Sequence, residues 1–134
     1  MTESNDAVGR TEMGRNAQLD SGVRIGGGSA EDETSIGDGA RIRSGTVIYP
    51  NVRIGANFTS GHDAVVREDT WIGDDVLVGT KTVIDGATTI GDRTSLQTGV
   101  YVPRETSIGA DVFVGPRVVM TNDPYPVRSE AELV

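Results

Sequence analysis

From Ile36 onward an aliphatic residue returns at every sixth position, through Ile42, Ile48, Ile54, Val66, Ile72, Val78 and on to Val114 and Met120. Ser60 is the single exception in that row, and no residue is inserted or lost along it. The fifth place of each six-residue unit is small or β-branched almost throughout: Ala40, Thr46, Val52, Ala64, Thr70, Val76, with Phe58 the one bulky member. A period of six fits neither a helix nor a simple alternating strand. It predicts a solenoid in which each hexad is a short strand followed by a bend, the first place pointing into the core and the fifth packed at an inner corner. Gly, Asp or Asn between those places supplies the positive φ that a tight bend requires. Three such sides close a triangular coil of eighteen residues, which stacks Ile36-Gly37, Ile54-Gly55, Ile72-Gly73, Ile90-Gly91 and Ile108-Gly109 on one side.

The expected fold is therefore all-β, a parallel β-helix of about five coils, with inter-coil ladders holding one coil to the next. Parallel crossovers are right-handed by default. Val23-Arg24-Ile25-Gly26 resembles one more rung, but Ile25 precedes Ile36 by eleven residues instead of twelve, so "GGGSAEDETS" is expected to form an irregular loop. Residues 1–22 are expected to be a polar, disordered tail, 23–126 the β-helix, and 127–134 a C-terminal tail. Past Met120 the pattern dissolves around Pro124 and Pro126.

Composition narrows the function. With no cysteine, disulfides and thiolate chemistry are excluded. Twelve basic residues against twenty acidic ones give a net charge of −8, which opposes binding to nucleic acid. No segment approaches the length of a membrane span, and "MTESNDAVGRTEMGRN" lacks the apolar stretch of a signal peptide. A cytoplasmic protein is expected. The dispersed glycines Gly73, Gly79, Gly91, Gly109 and Gly115 do not form a phosphate loop, which needs consecutive N–H groups at a helix start.

Tandem hexads of the form aliphatic-Gly-x-x-small-x, over residues 23–128, resemble the hexapeptide-repeat acyltransferases. The resemblance implies a left-handed parallel β-helix, a homotrimer, and acyl transfer from acyl-CoA or acyl carrier protein. "IRSGTVIYPNVRIGANFTSGHDAVVRE" (42–68) and "VFVGPRVVMTNDPYPVR" (112–128) are similar to the branch that acetylates amino groups of nucleotide-linked sugars, chiefly through Gly115, Pro116, Thr121 and Asn122. That branch implies acetyl-CoA as co-substrate, a sugar-nucleotide acceptor and no metal, with Asn122 at the acceptor amine. Its members continue for several coils beyond this segment, whereas this chain stops at Val134, so a C-terminally short chain is expected. A catalytically inactive remnant or scaffold is the alternative.

Two residues compete for the chemistry. His62, the only histidine, lies at the third place of its hexad beside Asp63, and a histidine on a turn suits general-base work near neutral pH. Asn122 is the rival, sixty residues or about 16 Å along the axis away at ~4.8 Å per coil, so one reacting atom cannot meet both. If the amine is already neutral, Asn122 alone suffices to orient it. Asp123, Tyr125 and Arg128 follow as candidate substrate contacts, Arg128 toward a diphosphate. Arg67 and Glu68 read as a surface ion pair, and Trp71 as an outward interface residue. A zinc hydro-lyase on the same fold needs three histidines. An ice-binding face needs outward threonines, and here they occupy the inward fifth place.

Overall fold

The computed structural model describes residues 9–123. Seventeen short strands, β1 (Arg10–Met13) to β17 (Phe113–Val114), follow one another with no helix between them. They sort into three parallel sheets of six, six and five strands, each strand pairing with the third one before and after it in the chain. Side 1 carries β4 (Glu33–Ile36), β7 (Val52–Ile54) and β10 (Thr70–Ile72) and their successors. Side 2 begins at β2 (Gln18–Leu19) and side 3 at β3 (Arg24–Ile25), and the bridge from Tyr101 to Val119 extends side 3 at the last level. Corner 1 follows side 1 (residues 37–39 and equivalents), corner 2 follows side 2 (43–45), and corner 3 follows side 3 (49–51). No described helix is long and apolar enough to cross a membrane.

The six-residue frame is realised with the expected polarity. Ile42, Val66, Val78, Ile84, Leu96 and Val102 are fully buried, and so are the fifth-place Val52, Phe58, Ala64 and Thr82. Ser60, the break in the aliphatic row, is also buried, and Phe58 two residues earlier on the same inward face supplies the volume that serine leaves. The Ser60 hydroxyl donates to the Gly61 carbonyl at 3.0 Å and accepts the Arg43 N–H at 3.2 Å, so its burial leaves no orphan.

Buried threonine is tolerated for a repeated reason. Thr82 Oγ1 donates to the Gln97 carbonyl at 2.7 Å and accepts the Val100 N–H at 3.3 Å. Thr94 does the same with the Gly109 carbonyl at 2.6 Å and the Val112 N–H at 3.2 Å. The hydroxyl thus satisfies backbone groups of the next coil at a corner where the ladder turns.

Two expectations are corrected. The described part of the segment expected to be a disordered tail, residues 9–22, instead belongs to the column: β1 pairs with β4, and β2 with Arg41–Ile42. Met13, Leu19 and Ile25 keep the six-residue step among themselves. The pairing offset to the next level is 23, as in Arg10 with Glu33, five more than elsewhere, and those five residues are the loop that breaks the frame. The second correction concerns the second-place glycines. Positive φ is supplied as expected by Asn, Asp and Gly at the fourth place, as at Asn51 (60°), Asp63 (57°), Asp75 (58°), Gly39 (79°), Gly45 (79°) and Gly99 (74°). The second-place glycines of the inner levels do not take it; they serve where the coils approach too closely for a side chain. A Cβ at Gly79 would stand 2.6 Å from the Gln97 carbonyl carbon, and one at Gly37 2.7 Å from that of Gly55.

Gly79→Ala is therefore expected to lower the free energy of urea unfolding by about 1–3 kcal/mol, the usual cost of forcing an extra methyl into a packed interior. Equilibrium denaturation followed by circular dichroism measures it.

Candidate functional site

Corner 3 assembles the densest set of polar side chains among the described residues. Because equivalent places recur every eighteen residues, Glu68, Gly86, Arg104 and Asn122 form one column on it, and Tyr49, Arg67 and Asp85 the column beside it. Arg104 reaches past the intervening level: its Nη1 donates to Glu68 Oε2 at 3.2 Å and to the Asp85 carbonyl at 3.1 Å. Gly86 makes that reach available. Its φ is +105°, and a Cβ there would lie 2.6 Å from Arg104 Nη1. Arg67 stacks 4.8 Å above the Tyr49 ring and donates to Glu68 Oε1 at 3.2 Å. The Tyr101 hydroxyl donates to Asp85 Oδ2 at 3.0 Å.

Asn122 completes the column. Its Nδ2 donates to the Arg104 carbonyl. A carbonyl only accepts, so the amide nitrogen is committed inward and Oδ1 is left as an acceptor. The side chain is exposed, and the Oδ1 acceptor is suited to an N–H or O–H donor. The neighbouring Asp123 is half-buried. Tyr125 and Arg128 lie outside the described residues.

The electrostatics of the corner follow from these contacts. The Glu68 carboxyl is held below its ordinary value of 4.5, first by its own backbone N–H, with Arg67 and Arg104 adding to the effect against partial burial. The Tyr101 hydroxyl is pushed above its ordinary value, chiefly by its hydrogen bond to Asp85. Glu68 is thus an anion at neutral pH and acts as a clamp on two guanidinium groups.

His62 is elsewhere. It stands exposed on corner 2, its Nδ1 2.8 Å from the Ser44 hydroxyl and its main-chain N–H donating to Thr80 Oγ1 at 3.1 Å. The orienting partner is serine one level below, while the carboxylate of Asp63 lies toward Gly45, where a Cβ would overlap its Oδ1. His62 and Asn122 are separated by corner as well as by height. Arg67 and Glu68 do pair, within a network larger than two residues. Trp71 projects from side 1 with 59% of its surface exposed, under the Arg53 guanidinium at 5.4 Å. Gly86, Asp85, Tyr101 and Arg104 are site residues that the aliphatic and glycine pattern does not single out. Their signal was the eighteen-residue spacing applied to charged places as well as to apolar ones.

Residues 70–104 match the family model described as the hexapeptide repeat of succinyl-transferase. The chain is a hexapeptide-repeat β-helix. No curated protein sequence matches it. Among solved structures it is similar to the acetyltransferase domain of PglB from Neisseria gonorrhoeae FA1090 in complex with acetyl coenzyme A. The TM-score is 0.61 at 19% identity, covering 79% of this chain and 46% of that one. It is also similar to the hexapeptide-repeat acetyltransferase VCA0836 from Vibrio cholerae, with TM-score 0.63 at 19% identity over 76% of this chain and 66% of the other. The hexapeptide-repeat chain thus spans about half of the first and about two thirds of the second, and likeness at this identity establishes the shared fold.

The depressed Glu68 pKa has a signed consequence. A carboxyl whose folded pKa lies below its unfolded value stabilises above about pH 4.5 and loses that contribution as the pH falls through the folded value. Glu68→Gln is expected to cost up to about 1 kcal/mol at pH 7, the range of partly exposed ion pairs. The two proteins are expected to converge as the pH falls below the folded value of Glu68, as read by urea unfolding across the pH range.

Proposed function

We propose that this chain forms the β-helical body of an acyltransferase that moves an acetyl group from acetyl-CoA to the amine, or a hydroxyl, of a sugar nucleotide. It acts in the cytoplasm as a left-handed homotrimer, with Trp71 and Arg53 on side 1 facing a neighbouring subunit. The observation that carries the reading is the Asn122 amide, fixed by the Arg104 carbonyl so that Oδ1 meets an incoming N–H donor. The hexapeptide repeat and the likeness to acetyltransferases, one of them bound to acetyl coenzyme A, support it.

The reaction needs little from the protein beyond placement. The amine lone pair attacks the thioester carbonyl carbon, a C–N bond forms and the C–S bond breaks. The proton lost from nitrogen ends on the departing thiol. Asn122 Oδ1 accepts a hydrogen bond from the amine and aims its lone pair, while Glu68 and Arg104 keep the Asn122 support rigid. The carboxylates of corner 3, Glu68, Asp69 and Glu105, favour an amine over an anion at this point. Asp123, Tyr125 and Arg128 are further acceptor contacts in this reading.

Acetyl transfer to UDP-linked amino sugars, followed by release of free thiol, tests it. Asn122→Ala is expected to lower kcat/KM roughly 10- to 100-fold, the worth of a hydrogen bond to a polar reacting group. His62→Ala is expected to stay within about threefold, since that ring is on another corner. The reverse order would make His62 the base and remove Asn122 from the chemistry. No transfer to any such sugar would leave a scaffold role.

A further inference from the structure

Corner 2 differs from the other corners in charge. It holds Arg43, Lys81 and Arg117 against Asp20 and Asp63. Asp20 is engaged by Arg41 at 2.9 Å, and Asp63 leans toward Gly45. Among the described residues no carboxylate lies within salt-bridge distance of Arg43, Lys81 or Arg117. Corner 1, by contrast, presents Asp38, Asp74, Asp75, Asp92 and Asp111 against Arg15 and Arg93, and Arg93 is spent on Asp111 at 2.7 Å. On corner 3 both cations are already paired with Glu68. In a chain of net charge −8, corner 2 is where cations outnumber carboxylates among the described residues.

Two of the cations on it also share a column. Lys81 and Arg117 stand two levels apart in one column, their Cα atoms about 10 Å apart at the inter-strand spacing. Gly99 lies between them with φ +74°, and the Arg117 stem crosses it, 3.4 Å from where a Cβ would be. Arg117 thus leans toward Lys81 over a level that has no side chain. Thr80 and Thr98 occupy the adjoining column. The Thr80 hydroxyl accepts the His62 N–H at 3.1 Å and keeps its own proton to donate. Two cations in one column beside two hydroxyls match a phosphate in charge and in donors.

We propose that Lys81 and Arg117 bind the phosphate end of a substrate, a phosphomonoester or diphosphate, and that the ligand then crosses side 3 to the Asn122 corner. Arg117 and Asn122 are joined by five residues, so they are at most about 18 Å apart. The surface between them is apolar, with Val83, Tyr101 and Val119 facing outward, Val119 with 67% of its surface exposed. Charge sorts the two ends of the ligand: corner 2 draws phosphate, and the carboxylates of corner 3 repel it and draw an amine. The identity of the reacting end rests on the acetyl-transfer reading; the phosphate site does not.

The test is calorimetric titration of the full chain with adenosine 3′,5′-bisphosphate and, separately, with UDP. One of them is expected to bind saturably, the bisphosphate if the anchored substrate is the coenzyme and UDP if it is the acceptor. The Lys81→Gln/Arg117→Gln variant, altered only at exposed side chains, is expected to bind at least tenfold more weakly. Arg93→Gln, a cation of corner 1 paired with Asp111, is expected to stay within twofold. Absence of binding by both probes overturns the site, as does unchanged affinity in the double variant, or a loss caused by Arg93→Gln instead. Binding is read without turnover, so a chain that binds but transfers no acetyl group loses the proposed reaction alone. A double variant that transfers acetyl with unaltered KM loses the phosphate site alone.

Discussion

From Ile36 on, the molecule depends on one constraint: each strand residue of a coil pairs with the residue eighteen further along, at the ~4.8 Å spacing of parallel strands. Gly37 N–H meets the Ile54 carbonyl at 2.9 Å, Gly55 meets Ile72 at 2.9 Å, and Gly73 meets Ile90 at 2.9 Å. A ladder this regular leaves no slack for insertions, and it stacks like places on like. The same stacking that buries Ile36, Ile54 and Ile72 aligns Glu68, Gly86, Arg104 and Asn122 on a corner. Core and candidate site are two readings of one repeat.

This explains what the sequence disclosed and what it concealed. The column was legible because its first and fifth places are chosen by volume and burial, and both show as residue type. The first level was not, since a five-residue loop separates Met13, Leu19 and Ile25 from the frame that starts at Ile36. The bend residues were legible, but the second-place glycines have a different reason from the one their composition suggests. Asn51, Asp63 and Asp75 take the left-handed conformation, whereas Gly37 and Gly79 are required by the close approach of the next coil. Arg104 and Glu68 pair across 36 residues, a separation at which no local motif exists. Asn122 came from family resemblance, and its committed amide from the fold.

The corners divide the labour electrostatically. Corner 1 is a structural seam in which carboxylates cap backbone N–H groups, as Asp74 does for Ala56 at 2.8 Å and Asp92 for Asp74 at 2.8 Å. Corner 3 spends its guanidinium groups on Glu68 and offers an amide acceptor. Corner 2 keeps cations that meet no carboxylate among the described residues, in an otherwise acidic chain. A transferase must hold an anionic carrier and a nucleophilic amine at a fixed distance without binding one in the place of the other. Under the proposed acetyl-transfer reading, a column whose corners carry opposite charge would do so by geometry, and long-range attraction would add to the rate at which the anionic end arrives.

The most direct measurement is calorimetric titration of the full chain with acetyl-CoA at low and at high salt. Saturable binding at one site per subunit, weaker at high salt because screening reduces the pull on phosphate, is the predicted result. A well-folded protein that releases no heat of binding at either salt would contradict the acetyl-transfer account, leaving the column as a scaffold.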